Sequence, residues 1–228
     1  MIEIVWLRHG QPDWQPDGRA VDEPGLTPLG RQQAQAAASA LRDPAFAAVY
    51  VSPLRRARET AQPIEHALGL EAGVEAWLAE LRIKSLQGAP LEEVELFFAR
   101  MRSRDLPEWW DGLGAESFRH FHERVTTGLD EVLAERHGAR AQGEGAYRLW
   151  QVPPEPQRLL VVAHGGSISV SLAHLLGIEG VPWEAERFQL GFTGICLTRT
   201  RPVAGGSVWS LARFNARGHL SKLPDPPG

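Results

Sequence analysis

Apolar runs of strand length alternate with segments of helical character through the first seventy residues. Ile2 to Leu7 is an unbroken run that leads directly into Arg8-His9-Gly10, so it reads as a strand that stops at a glycine. The stretch from Gln11 to Gly25 holds three prolines, two glycines and four acidic residues and reads as a loop. Thr27-Pro28 supplies an N-cap followed by proline at the first helical position. The Ala- and Gln-rich segment Leu29 to Leu41 continues as helix until Asp43-Pro44. A second apolar run, Phe46 to Val51, is broken by Ser52-Pro53-Leu54, and Arg55 to Leu68 then reads as a helix closed by Gly69. Strand, turn and helix thus occur twice in succession, which favours a parallel sheet with crossover helices.

The middle of the chain is less regular. Ala72 to Leu81 suits an edge strand followed by a loop, and Leu91 to Arg102 carries apolar residues at helical spacing. Trp109-Trp110-Asp111-Gly112 is expected to be a loop with two large aromatics. Ser117 to Arg136 is the longest predicted helix, and His137 to Gln157 reads as a loop or hairpin insertion. Arg158 to Ala163 is apolar and β-branched without alternation, the pattern of a strand buried on both faces. It runs into His164-Gly165-Gly166-Ser167, and Ile168 to Leu176 resumes as helix up to Gly177. Gly194 to Arg199 and Ser207 to Phe214 are predicted closing strands, and Leu223 to Gly228 is a polar tail. The expected architecture is a single α/β domain over 1–228. It is a three-layer α/β/α sandwich on a mostly parallel central sheet, helices on both faces, with a helical cap inserted at about 82–157.

Composition narrows the function classes. An apolar fraction of 43% and a charged fraction of 23% are those of an ordinary globular protein. A formal charge of −4 speaks against nucleic acid held by bulk electrostatics, while leaving room for a local cationic pocket. The single cysteine, Cys196, permits no internal disulfide or Cys-rich zinc site, and its apolar neighbours suggest a buried thiol. No apolar run reaches membrane-spanning length, so a cytoplasmic protein without a membrane partner is expected.

Two strands that read as buried end in His-Gly: Leu7-Arg8-His9-Gly10 and Ala163-His164-Gly165. In a parallel sheet both histidines emerge at the same edge, where open α/β sheets bind ligands. A neutral imidazole is a nucleophile towards phosphorus, and the guanidinium of Arg8 matches phosphate oxygens. Gly165 and Gly166 allow close approach to backbone, and the helix that starts there points free amides at an anion. Arg55 and Arg56 lie just past a third strand end. Such arginines are often simply solvated, but cations in a first helical turn are disfavoured unless an anion compensates them.

These residues resemble the histidine phosphatase superfamily, also called phosphoglycerate mutase-like. The similarity is carried by Leu7-Arg8-His9-Gly10, by Leu26-Thr27-Pro28-Leu29-Gly30 with Gln33-Ala34, by Ser52 to Ala61, by Val162 to Gly166, and by Asn215 to Leu220. The resemblance implies that His9 is the nucleophile and becomes phosphohistidine. It implies that Arg8, Arg56 and His164 grip the phosphoryl oxygens, with Gly165 and Gln11 also binding phosphate. Leu78-Ala79-Glu80 matches the family's apolar-x-Glu pattern, making Glu80 the proton donor; Glu75 and Glu71 are the fallback donors. Pro12 and Gln15 stand where the family often has Thr or Ser and Asn, and Lys84-Ser85-Leu86-Gln87-Gly88 replaces its usual Gly-x-Trp-Glu-Gly. Glu116-Ser117 and Arg124-Val125 are similar to paired motifs of the phosphatase branch.

The activity implied is a metal-independent phosphomonoesterase of histidine acid phosphatase type acting on a small phosphorylated metabolite. It needs no cofactor, no metal and no nucleic acid, and a homodimer is possible. Two alternatives stay open: a cofactor-dependent phosphoglycerate mutase, and a catalytically weak relative that binds a phospholigand or a protein. Trp109, Trp110 and the Leu91 to Met101 helix could form an apolar lid or belong to the core.

Overall fold

The computed structural model describes residues 1–42, 45–111, 115–143 and 145–224. An eight-stranded mixed sheet runs through them in the order β3-β2-β6-β1-β7-β8-β5-β4. Its strands are β1 (Ile2–Arg8), β2 (Ala48–Val51), β3 (Gly73–Val74), β4 (Arg140–Gln142), β5 (Leu149–Gln151), β6 (Gln157–Ala163), β7 (Ile195–Val203) and β8 (Gly206–Ala216). The helices are α1 (Pro28–Ala40), α2 (Arg55–Leu68), α3 (Leu91–Arg102), α4 (Leu106–Asp111), α5 (Phe118–His137), α6 (Gly165–Leu175) and α7 (Glu184–Arg187).

The two-residue period of the central strands sorts the core into two halves. Ile2, Ile4 and Trp6 of β1 and Leu159, Val161 and Ala163 of β6 pack with α5 and α6. Val5 and Leu7, with Leu160 and Val162, face Ala37 and Ala38 of α1 and Ala57, Ala61 and Ile64 of α2. Helices on both faces explain why these strands carry continuous apolar sequence. Phe118, Phe121, Val125, Leu129, Val132 and Leu133, the apolar stripe of α5, are buried in the first half.

The sheet is less parallel than the sequence suggests. Strands β3, β2, β6 and β1 pair in parallel, but β7, β8, β5 and β4 continue the sheet through antiparallel pairings. The cause is local: β7 and β8 are joined across Ala204 and Gly205, both at positive φ, and so short a connection only permits an antiparallel pair. Within Ala72 to Leu81 the predicted edge strand followed by a loop is present as the two residues of β3 at the sheet edge, followed by a 3-10 turn over Ala76–Leu78 that buries Trp77 and Leu78.

Trp109 and Trp110 lie on α4 instead of in a loop. Trp110 packs edge-on to Phe118 and Trp109 edge-on to Trp183, contacts that hold a six-residue helix too short to show a period in sequence. Gly112, the expected helix stop at Asp43-Pro44 and the end of the polar tail (225–228) lie outside the described residues. Thr27 caps α1 as its position suggests, accepting from the Gly30 amide at 2.9 Å, and Gly69 closes α2 in the left-handed conformation. Cys196 is fully buried on β7, and burial pushes its thiol up to about 11.

The turn after β1 is locked against the start of α1. A Cβ on Gly10 would sit 2.6 Å from the Gly30 carbonyl oxygen, and one on Gly30 would run into the Gln11 carbonyl. Both obstacles are backbone, so neither can swing aside. Gly30→Ala is therefore expected to destabilise the protein by about 1–3 kcal/mol. Urea unfolding should show a lower midpoint with an unchanged slope.

Candidate active site

Three parallel strands end level with one another. The register places Arg8 opposite Ala163 and Val51 opposite Val162, so His9, His164 and Ser52 emerge side by side just past β1, β6 and β2. The helix that follows β2 adds Arg56 on its first turn. His9, His164 and Arg56 are buried, at 3%, 0% and 4% exposure, and the two imidazole rings lie 5.0 Å apart.

Hydrogen bonds fix what each ring offers. Nδ1 of His9 lies 2.7 Å from the Gly10 carbonyl oxygen, which can only accept; Nδ1 therefore holds the proton and Nε2 keeps its lone pair. The Gly10 amide donates to the Thr60 hydroxyl at 3.0 Å, and that hydroxyl donates to the Arg56 carbonyl at 2.7 Å, tying the turn after His9 to α2. Nε2 of His164 is 2.7 Å from the hydroxyl of Ser52, which also accepts from the Leu54 amide.

The electrostatics are one-sided. Burial, then the charges of Arg8 and Arg56, hold the His9 imidazolium well below its ordinary pKa. Burial, with His9 and both arginines, does the same to His164. Desolvation also lowers Arg8 and Arg56, and Glu80 is the nearby carboxylate that offsets it in each. Arg8 donates to the Leu190 carbonyl and lies 4.5 Å from the centre of the Phe192 ring; Arg56 lies 5.0 Å from that of Trp14. Nε of Arg8 and Nε of Arg56 are buried without a protein hydrogen-bond partner. Buried donors of this kind call for an anionic ligand with several oxygens.

Glu80 reaches this cluster from the far side of the chain. Its Oε2 accepts from the Gly166 amide at 2.9 Å, at the N-terminus of α6, and its Oε1 from the Leu81 amide at 2.9 Å. A side chain on Gly166 would collide with that carboxylate. Arg124 holds the segment in place: it donates to the carbonyls of Trp77 and Ala79 at 2.9 and 3.1 Å and pairs with Glu116 at 2.9 Å. Glu116, buried, in turn accepts from the Arg82 amide, so one ion pair grips the chain on both sides of Glu80.

The structure therefore brings together Arg8, His9, Arg56, Glu80, His164 and Gly165, the last lying 3.8 Å from the Arg8 guanidinium once a Cβ is built on it. Gln11 is oriented differently: its side-chain oxygen accepts from the Thr27 hydroxyl at 2.9 Å, at the start of α1. Glu75 pairs with Arg136 at the surface, away from the cluster. Arg55, largely exposed, pairs with Glu59. The sequence reading missed Ser52 and Thr60 as partners of the site, and also the loop 190–194. Phe192 of that loop lies against His9, and Thr193 holds a left-handed backbone (φ 50°) while its amide donates to the His9 carbonyl. An isolated Thr at positive φ is a signal that exists only in three dimensions.

Two guanidiniums and two imidazoles around one point, with a carboxylate beside them, define an oxyanion-binding site on a mixed α/β fold. The chain belongs to the histidine phosphatase superfamily (branch 1), whose sequence profile matches residues 4–216. Phosphoglycerate mutase-like protein 4 of Arabidopsis thaliana is 32% identical over 178 residues, covering 73% of this chain and 67% of that one. Glucosyl-3-phosphoglycerate phosphatase of Mycobacterium tuberculosis is 32% identical over 187 residues, covering 80% and 78%. The solved structure of a mycobacterial glucosyl-3-phosphoglycerate phosphatase complexed with VO3 matches with a TM-score of 0.71 at 26% identity, covering 94% of this chain and 99% of that one.

Two predictions follow from the geometry and charges. Because the folded-state pKa values of His9 and His164 lie below the unfolded value of 6.5, both states are neutral above pH 6.5. Below it the unfolded chain takes up protons that the folded chain refuses, so stability falls with pH, by up to about 1.4 kcal/mol per pH unit for each such histidine. Urea midpoints should drop between pH 7 and 5.5, and less steeply in His9→Asn and His164→Asn; His122, His137 and His219, lowered too, supply the remaining slope. Separately, Arg124→Met should lower kcat by about 10–100-fold through a displaced Glu80. Affinity for vanadate, measured by thermal shift, should change little, because Arg8, Arg56 and both histidines stay in place.

Proposed function

We propose that this protein is a phosphomonoester hydrolase that works through phosphohistidine at His9. The observation that carries the reading is the tautomer of His9: with Nδ1–H committed to the Gly10 carbonyl, a neutral Nε2 faces a pocket lined by guanidinium charge. Nε2 attacks phosphorus as the bond to the leaving oxygen breaks, and Glu80 gives its proton to that oxygen. Water then attacks the phosphohistidine, Glu80 takes a proton from it, and inorganic phosphate leaves with Nε2 neutral again. The step needs Glu80 to enter with its proton.

Arg8, Arg56 and His164 stabilise the charge on the three non-bridging oxygens, and the Gly165 backbone lets those oxygens approach. Two fixed guanidiniums supply the compensating charge that other phosphoryl-transfer sites take from a divalent ion, which supports a metal-independent reaction. Membership of a family with named phosphatases, at about a third identity, supports hydrolysis of a small phosphorylated metabolite.

In this reading the frame is an α/β/α sandwich, and the insertion at 82–157 contributes its cap through α3 and α4. Of the other elements of that segment, α5 is built into the core and β4 and β5 into the main sheet.

Wild-type protein given a radiolabelled aryl phosphate, with no bisphosphoglycerate present, is expected to release phosphate and carry an acid-labile label. His9→Ala should lose the label and about 10³-fold or more in kcat. Glu80→Gln should keep the label and accumulate it, since an aryl oxide leaves without an acid but water still needs a base. Unlabelled wild-type protein, or turnover that requires bisphosphoglycerate, would overturn the proposal.

A further inference from the structure

We propose that the alcohol portion of the substrate is large and apolar, an alkyl or aryl group rather than a small hydroxy acid or a sugar. This rests on the hydrolase reading above and assigns the other end of the same site.

A cavity of about 670 Å³ opens from the catalytic cluster, with Arg56 and Glu80 on its lining. Its walls are Trp14, Leu54, Leu81, Leu86, Val94 and Phe98. The apolar surface begins at the phosphate grip itself, where the Trp14 ring lies beside the Arg56 guanidinium. That volume falls within the range of about 300–1,000 Å³ that encloses drug-sized ligands, and a three-carbon phosphoester fills only a small part of it.

Three of the large apolar side chains left exposed stand at this cavity. Trp14 is 47% exposed, and Ile83 and Phe98 are each 37% exposed, and all three line the cavity. Exposed apolar side chains gathered around a concavity mark a binding surface. Helix α3, which supplies Val94 and Phe98, has acidic residues in its first turn and basic residues in its last, so it is a well-formed helix; yet it buries no residue fully. A helix with apolar side chains half in water over a cavity is a wall waiting for an apolar ligand.

The polar groups on the lining do not suit a polyol. Beyond Arg56 and Glu80 they are Gln15, Asp22, Arg82, Lys84 and Ser85. Asp22 already accepts from the Ser85 hydroxyl at 2.5 Å and the Leu86 amide at 2.9 Å. The Arg82 side chain is 74% exposed and leans towards Glu116, and Lys84 is exposed, so both cations sit at the mouth. A site that selects a sugar or hydroxy acid presents unspent donors and acceptors along its walls, because those are what reject the analogue lacking a hydroxyl. Here most of the wall is hydrocarbon. The segment Lys84-Ser85-Leu86-Gln87-Gly88, which departs from the family pattern, contributes Leu86 to that wall.

The test is a homologous series of n-alkyl phosphates from ethyl to octyl, with glycerol 3-phosphate as the polar control. In parallel, matching n-alkyl phosphonates, which cannot be hydrolysed, are titrated into the wild-type protein by calorimetry. We expect kcat/KM and phosphonate affinity to rise about fourfold per added methylene until the cavity fills. Phe98→Asp, at a half-exposed position, should flatten both slopes. Octyl phosphate turned over no better than glycerol 3-phosphate, with phosphonate affinity independent of chain length, would overturn this proposal and leave hydrolysis standing. Phosphonate affinity that climbs with chain length while no ester is turned over would uphold the pocket and sink the hydrolase reading.

Discussion

Positive charge held out of water, with too little negative charge beside it, is the constraint around which this molecule is arranged. Arg8 and Arg56 lie beside two imidazoles that burial keeps neutral, and Glu80 is the carboxylate that faces both. An uncompensated buried charge costs several kcal/mol, so such a cluster persists only if its surroundings leave it no other arrangement. The surroundings do this with dipoles and rings: the Leu190 carbonyl and Phe192 ring at Arg8, and the Trp14 ring at Arg56. These contacts hold the two guanidiniums in place within the fold.

Alignment of the strand ends makes that arrangement possible. Because β2, β6 and β1 are parallel and in near-level register, three short sequences far apart in the chain deliver their side chains to one rim. The antiparallel half of the sheet has a different task. Leaving β7 unpaired would expose one edge of β1, and the β7–β8 hairpin both covers it and carries Asn215, which accepts from the Gly191 amide and so anchors the loop over His9. Arg124 and Glu116 do the corresponding work for Glu80, whose segment has no regular strand or α-helix to hold it.

How much of this is legible in the sequence depends on whether a feature is local. The ends of β1 and β6 are written as apolar runs stopped by His-Gly, and the helix starts at Thr27 and after Ser52 carry their own capping and breaking residues, so the rim and three of its side chains, Arg8, His9 and His164, could be read directly. Arg56 could be told from Arg55 only through family resemblance; in the structure α2 turns one guanidinium inward and the other to Glu59. The parallel character was overestimated because strand direction for β7 and β8 is set by a two-residue turn, whose Ala204-Gly205 gives little warning. Ser52, Thr60 and the loop 190–194 act through contacts between segments far apart in sequence, and no periodicity announces those. The helix carrying Trp109 and Trp110 escapes notice for a related reason: ring contacts with Phe118 and Trp183, not propensity, hold it.

The lone thiol, Cys196, is sealed inside the sheet, and its proton is held firmly by burial. Peroxides attack thiolates that are exposed and easily ionised, and phosphatases that depend on such a thiolate fall silent under oxidative stress. A protein whose proposed nucleophile is an imidazole and whose one sulfhydryl is buried offers an oxidant no comparable thiolate target. The chemistry proposed for it would continue unchanged across a cell's swings between reducing and oxidising conditions.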